Sequence, residues 1–324
     1  MPVAKYTKRA PRREKQQQTR KVRYRFHVHY LNKQKGGRLH DIATFRSACS
    51  PEGASAQLRV IQTLKSPEEG DDYIHVLKSA MNGQDLVVKI QEPGQMLHAE
   101  LTIHSHLMGC NNIIKYVCDF NCLLDITWNK PLEAPRFLCD LHGVPRHIII
   151  MEYINNDLAN FLGGEHEIGN ELFGSLVQQA GFAMLDFHIN KHVWHGDINR
   201  GNILLHIDND TKNLSYTICG RTNCVNTLGH EVIYIDFQRG HIVDDSETNS
   251  NSNMYSNIIS ISNSNATNKI NKSAARDELS LLLQLMSKWT RNTEYTRQLH
   301  DAMRTIMVSK TVDDMLDCIE SFGV

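Results

Sequence analysis

The sequence lacks any run of about 18 apolar residues, so it predicts no membrane-spanning helix. No apolar stretch follows the charged residues near the N-terminus, which argues against a secretory signal. Eight cysteines among 324 residues are too few for a scaffold built from disulfides. We therefore expect an intracellular protein, in the nucleus or the cytoplasm, with reduced thiols and no membrane partner.

The charge is small in total but unevenly distributed, with a formal net charge of −1. Residues 1–40 contain 13 lysines and arginines against one acidic residue, Glu14, whereas the rest of the chain contains 22 basic and 35 acidic residues. This contrast predicts a disordered basic arm at 1–40 on an acidic body. The arm is either a solvated tail or a segment for nuclear import or for binding nucleic acid or another polyanion.

The order of elements indicates the fold class. Short strand-like runs dominate residues 57–91, and Asn82-Gly83 suits a hairpin turn. Helical periodicity appears at 170–190 and again from residue 276 onward. Serine and asparagine dominate residues 246–273, which predicts a disordered loop. The sequence therefore predicts an α+β protein with a β-rich first half and a helical second half.

Five polar residues lie where chemistry could use them. Lys89 lies in an apolar strand, where an unpaired charge is costly, and Glu100 on the next helix can supply the counter-charge. Asp197, Asn202 and Asp236 accompany buried strands later in the chain. Their oxygen atoms suit a hard cation such as Mg²⁺ better than zinc.

The segments around these residues resemble motifs of the protein kinase superfamily. In the family's own order, they match its lysine strand, hinge, catalytic loop, metal-binding segment and bracing helix: VVKI (87–90), IIIMEYINNDL (148–158), HGDINRGNILL (195–205), YIDFQRG (234–240) and RDELSLLLQLM (276–286). The compact second half is also similar to small atypical kinases of the tRNA-modification and Rio type, and to aminoglycoside-type phosphotransferases. The basic arm and the low-complexity insertion are similar in style to kinases of large DNA viruses.

The resemblance implies a bilobal kinase-like fold. Residues 41–154 would form a β-rich N-lobe with the hinge, and residues 155–324 a shortened helical C-lobe that contains the Ser/Asn-rich loop. The implied activity is the transfer of the γ-phosphate of ATP, with Mg²⁺ or Mn²⁺, to a serine or threonine hydroxyl of a protein substrate.

The resemblance also implies a role for each matching residue. Asp197 would act as the base, Lys89 would hold the nucleotide phosphates with Glu100 fixing it, and Arg200 would replace the usual lysine of the catalytic loop. The remaining implied roles are nucleotide binding by Lys89, Met151, Glu152, Ile154 and Asp157, metal binding by Asn202 and Asp236, and structural support by His195 and Asp277.

Three departures from the family's pattern keep a second interpretation open. The segment LKSPEEGDDYI at 64–74 has one glycine and four acidic residues, where the family wraps a glycine-rich loop around the phosphates. Gln238 replaces the glycine of the metal-binding segment, and Asn199 replaces the catalytic-loop lysine. The chain could therefore be a pseudokinase, a scaffold or binding module with weak or no turnover.

A separate cluster has the spacing of zinc ligands. The candidate ligands are Cys118, Cys122, Cys139 and His142, in two short pairs before the hinge. The alternative is a set of buried thiols, since free cysteine is often buried.

Overall fold

A five-stranded antiparallel sheet dominates the first half of the chain. The computed structural model describes residues 42–65, 74–124, 144–243 and 264–323. In spatial order the strands are β1 (Arg59–Lys65), β2 (Ile74–Met81), β3 (Gln84–Gln91), β5 (Val144–Glu152) and β4 (Tyr116–Leu124). Asn82 and Gly83 turn β2 into β3 with φ angles of 52° and 77°, so the predicted hairpin is confirmed.

Among the described residues, helices and a disulfide accompany the sheet. Helix α1 (Pro51–Gln57) follows a short 3₁₀ helix (Ile42–Ala48), and α2 (Gln95–His106) follows β3. A disulfide joins Cys49, just before α1, to Cys118 in β4. The expectation of reduced thiols is therefore wrong for this pair, because sequence spacing alone did not indicate that the chain brings the two sulfurs together.

The second half packs around one long helix. In the described part of this half, the α-helices are α3 (Leu158–Leu162), α4 (Asn170–Ile189), α5 (Ser264–Trp289), α6 (Thr293–Val308) and α7 (Val312–Glu320). Helix α4 buries Leu176, Ala180, Ala183 and Phe187 in the main apolar cluster, as its periodicity predicts. The α+β class is thus confirmed.

Short strands border the loops that carry the polar residues. They are β6 (Asn156–Asp157), β7 (Val193–Trp194), β8 (Ile203–Ile207), β9 (Asn213–Ile218), β10 (Arg221–Asn226), β11 (His230–Tyr234) and β12 (His241–Ile242). Strands β11, β8 and β6 form one small sheet, β9 pairs with β10, and β7 pairs with β12. The loop between β7 and β8 and the loop between β11 and β12 therefore start and end on paired backbone.

One predicted boundary is wrong, and other predictions fall outside the described residues. Helix α5 begins at Ser264, so residues 264–273 are helical and are not part of a disordered loop. A helix nucleated on buried leucines extends at low cost into neighbouring polar residues. The basic arm at 1–40, most of the acidic segment at 64–74, and Cys139 and His142 lie outside the described residues. Within the described ranges, the structure has no helix that is long and apolar enough to cross a membrane.

Candidate functional site

The side chain of Lys89 connects two carboxylates from different parts of the chain. Its Nζ lies 2.8 and 3.0 Å from the two carboxylate oxygens of Glu100 on α2, and 3.1 Å from Oδ1 of Asp236 after β11. Burial alone would lower the pKa of Lys89, but the two carboxylates outweigh it and the pKa is raised. Lys89 therefore stays charged although its side chain is only 7% exposed.

Asp197 and Asn202 lie beside the segment that carries Asp236. The Asn202 amide donates to the carbonyl of Asp197 at 2.9 Å and to its carboxylate Oδ2 at 3.1 Å. The backbone N–H of Ile235 donates to the carbonyl of Asn202 at 3.1 Å, which places Asp236 next to this pair. The structure thus brings Lys89 and all four predicted acidic or amide residues into one neighbourhood.

His195 connects the loop before Asp197 to the segment that carries Asp236. Its Nε2 is 2.9 Å from the carbonyl of Ile235, and since a carbonyl only accepts, Nε2 carries the hydrogen. The ring packs on Phe237 with centroids 4.5 Å apart. Burial lowers the pKa of His195, so the ring is neutral and its contacts are structural.

The residue that braces this loop is Glu278, and the prediction of Asp277 is wrong by one position. Glu278 accepts the backbone N–H groups of Gly196 at 2.8 Å and His195 at 3.3 Å, and Nε2 of His188 at 2.8 Å. The Asp277 side chain is 74% exposed and lies 3.6 Å from Arg276. The physical reason is the helical period of α5, which turns position 278 inward and position 277 toward solvent.

Replacing Glu278 with glutamine should lower the free energy of unfolding by about 2 kcal/mol, because one amide oxygen cannot serve three donors and the amide NH₂ opposes one of them. Urea denaturation of the two proteins measures the difference. The matched control is Asp277→Asn on the same helix turn, which should leave the stability unchanged. Equal destabilisation by both substitutions would contradict the bracing role of Glu278.

Arg200 does not reach the carboxylates of the site. Its side chain is 60% exposed, contacts the Asn160 amide and lies 3.9 Å from Asp157. The ion-pair partner of Asp197 is Arg239, whose Nη1 lies 3.7 Å from Oδ1. Asp157 also accepts the backbone N–H of Asn160, so its carboxylate caps the start of α3. Arg200 and Asp157 therefore stabilise this helix start together.

The remaining predicted nucleotide-binding residues lie at the end of β5. Met151 and Ile154 are buried in one apolar cluster with Leu97, Ile114, Ile149 and Ile233, which joins β5, α2 and β11. Glu152 exchanges two bonds with Lys115, donating its N–H to the Lys115 carbonyl at 2.9 Å and accepting the Lys115 N–H on its side chain at 2.8 Å. The end of β5 is therefore fixed to the residues before β4.

The metal predictions have different outcomes. Cys118 is bonded to Cys49, and Cys122 is also disulfide-bonded, so neither offers a free thiolate and the zinc prediction is wrong for both. Across the described ranges, no group of three or more His, Cys, Asp or Glu side chains could hold a metal ion. Asn202 and Asp236 carry side-chain oxygens of the kind that Mg²⁺ prefers, and the Mg²⁺ site stays a prediction.

Sequence reasoning missed a histidine at the back of the site. The His104 ring lies between Tyr116 and Phe237, with centroids 5.9 and 5.8 Å away. Neither of its ring nitrogens has a hydrogen-bond partner among the described residues. Burial lowers the pKa of His104 to about 4. A histidine on a helix that also carries two other histidines gives no sequence signal of such burial.

Comparison with known proteins does not assign the chain to a family. The chain matches no protein-family model, and no curated protein is significantly similar to it. Its function must therefore be argued from the side chains that the fold brings together.

Proposed function

We propose that this chain is a phosphotransferase of the protein kinase type, which moves the γ-phosphate of Mg-ATP to a serine or threonine hydroxyl of a protein. The observation that carries the proposal is the Lys89 ammonium held between Glu100 and Asp236. Phosphoryl transfer needs charge neutralisation and positioning more than covalent work by the protein. A buried ammonium fixed by a carboxylate suits the nucleotide phosphates, and Oδ2 of Asp236, the carboxylate oxygen that does not contact Lys89, suits a cation beside them.

The arrangement of elements supports a bilobal fold of this type. The antiparallel sheet with α2 would be the N-lobe, and the helices around α4 would be the C-lobe. Lys89 and Glu100 belong to the first group, whereas Asp197, Asn202 and Asp236 belong to the second. The proposed site thus draws its charged groups from both halves, and the end of β5 would serve as the hinge that binds adenine.

Each residue of the proposed site has a separate role in phosphoryl transfer. Asp197 accepts the proton of the substrate hydroxyl while the oxygen of that hydroxyl bonds to the γ-phosphorus. The bond to the oxygen between the β- and γ-phosphorus atoms breaks, and ADP leaves with that electron pair. Asn202 and Asp236 would hold Mg²⁺, which would neutralise charge on the phosphates. Arg239, beside Asp197, takes the place proposed for Arg200 as the cation near the transferred group.

Binding of Mg-ATP to the full chain tests the proposal. Mg-ATP at about 100 times its Kd should stabilise the folded chain by about 2.7 kcal/mol, because ligands that bind only the folded state shift unfolding by mass action. Asp236→Asn should weaken binding roughly tenfold, the equivalent of one lost charge-assisted contact. Urea denaturation with and without Mg-ATP measures the stabilisation, and calorimetric titration measures the affinity, with Asp277→Asn as the exposed-carboxylate control. No binding by the unaltered chain would refute the proposed function.

A further inference from the structure

Two glutamines form a second link between β3 and the segment that carries Asp236. Residues 89 and 91 share one face of β3, because side chains in a strand alternate. Lys89 contacts Asp236, and two residues further along each segment Gln91 contacts Gln238. The two contacts are therefore parallel, and the second uses the residue that departs from the kinase pattern.

The hydrogen bonds between Gln238, Gln91 and Glu100 have a defined order of donors and acceptors. Nε2 of Gln238 donates to Oε1 of Gln91, and this turns Nε2 of Gln91 toward Glu100, where it donates to Oε2 at 3.3 Å. The same Glu100 carboxylate accepts Lys89 at 2.8 and 3.0 Å. Gln91 is buried and Gln238 is half-buried, so little water competes for these bonds.

We propose that Gln238 is a positioning residue, which orients the Gln91 amide and through it holds Glu100 against Lys89. Its meaning for catalysis rests on the proposed phosphotransferase function, whereas the positioning itself is a property of the unliganded chain. At this place a glycine would have no side chain with which to make the link. Where a glycine would leave the backbone after Asp236 flexible, Gln238 instead connects this segment by side-chain hydrogen bonds to Gln91 on β3 and through it to Glu100 on α2.

Chemical labelling of Lys89 tests the link without nucleotide. The full chain is treated with acetic anhydride, and mass spectrometry compares acetylation of Lys89 with that of Lys78, which pairs with Asp85 on the same sheet. Gln238→Met keeps the volume but removes the donor, so labelling of Lys89 relative to Lys78 should rise about fivefold, as for one lost hydrogen bond. General destabilisation would raise the labelling of both lysines.

Three further variants test which way the Gln91 amide is oriented and whether Gln238 acts through Gln91. Gln238→Glu would reverse the Gln91 amide and turn its oxygen toward Glu100, so this variant should raise Lys89 labelling more than Gln238→Met does. Combining Gln91→Met with Gln238→Met should add nothing to Gln91→Met alone, because both act along one path. The matched control is Gln178→Met, a half-buried glutamine that donates to the carbonyl of Glu320 far along the chain.

The outcomes separate this inference from the proposed function. Unchanged Lys89 labelling in Gln238→Met, or additive effects in the double variant, would overturn the positioning role. Raised labelling in a chain that binds no Mg-ATP would support the positioning role and refute the phosphotransferase.

Discussion

Replacing Asp197 with asparagine should slow phosphoryl transfer from Mg-ATP by roughly 10²- to 10⁴-fold, because an amide cannot take the proton of the attacking hydroxyl. The fold should tolerate the change. The asparagine is isosteric, and its amide oxygen can still accept the Asn202 amide that now lies 3.1 Å from Asp197 Oδ2. Binding of Mg-ATP should therefore change little while turnover is lost.

Release of terminally labelled phosphate from ATP, together with self-labelling of the chain, measures this rate without a known acceptor. Asp277→Asn again serves as the control, since its carboxylate is exposed on α5. Equal rates for the wild type and Asp197→Asn would remove Asp197 as the base. A wild type that binds Mg-ATP but transfers nothing would instead favour the binding module to which the substitutions at Asn199 and Gln238 point.

The second large effect is a loss of stability in mild acid. The folded chain holds the pKa of His104 at about 4, below the 6.5 of an exposed imidazole, whereas the unfolded chain exposes the ring. The unfolded chain therefore binds more protons between these values, so stability is complete above about pH 6.5 and falls as the pH approaches 4. The contribution of this one group is about 3 kcal/mol.

His104→Leu isolates this contribution from those of other titrating groups. Leucine fills the space between Tyr116 and Phe237 and has no nitrogen to protonate, so the variant should lose about 3 kcal/mol less than the wild type between pH 7 and pH 4. The charges of Lys89, Asp236 and His195 also influence the pKa of this ring, and these residues remain in both proteins. Urea denaturation at the two pH values measures the difference, and parallel losses in the two proteins would contradict the role of His104.

Local patterns predicted the elements that depend on local chemistry. Asn82-Gly83 specified the β2–β3 turn, because both residues tolerate positive φ. The apolar period of α4 predicted a core helix, since burial on one stripe repeats every three to four residues. The neighbourhood of Lys89, Glu100 and Asp236 was predicted from charges beside buried strands together with the order of the motifs.

The predictions from sequence are wrong where tertiary contacts determine which residue occupies a position. The sequence does not tell which of the adjacent acids Asp277 and Glu278 faces the loop, because a shift of one residue on a helix turns the side chain by about 100°. The pairing of Cys49 with Cys118 depends on where the 3₁₀ helix before α1 meets β4. Arg239 lies beside Asp197 only because the chain folds back after Asp236.

The Cys49–Cys118 bond closes the chain between these cysteines, which are 69 positions apart in the sequence, into a covalent ring. Lys89 and Glu100 both lie on that ring. Even when the sheet is unfolded, Lys89 and Glu100 remain within a loop that the disulfide closes. Such a loop has fewer accessible conformations than a linear chain. The redox conditions, which decide whether this disulfide is present, would therefore affect how readily the Lys89–Glu100 ion pair forms again when the chain refolds.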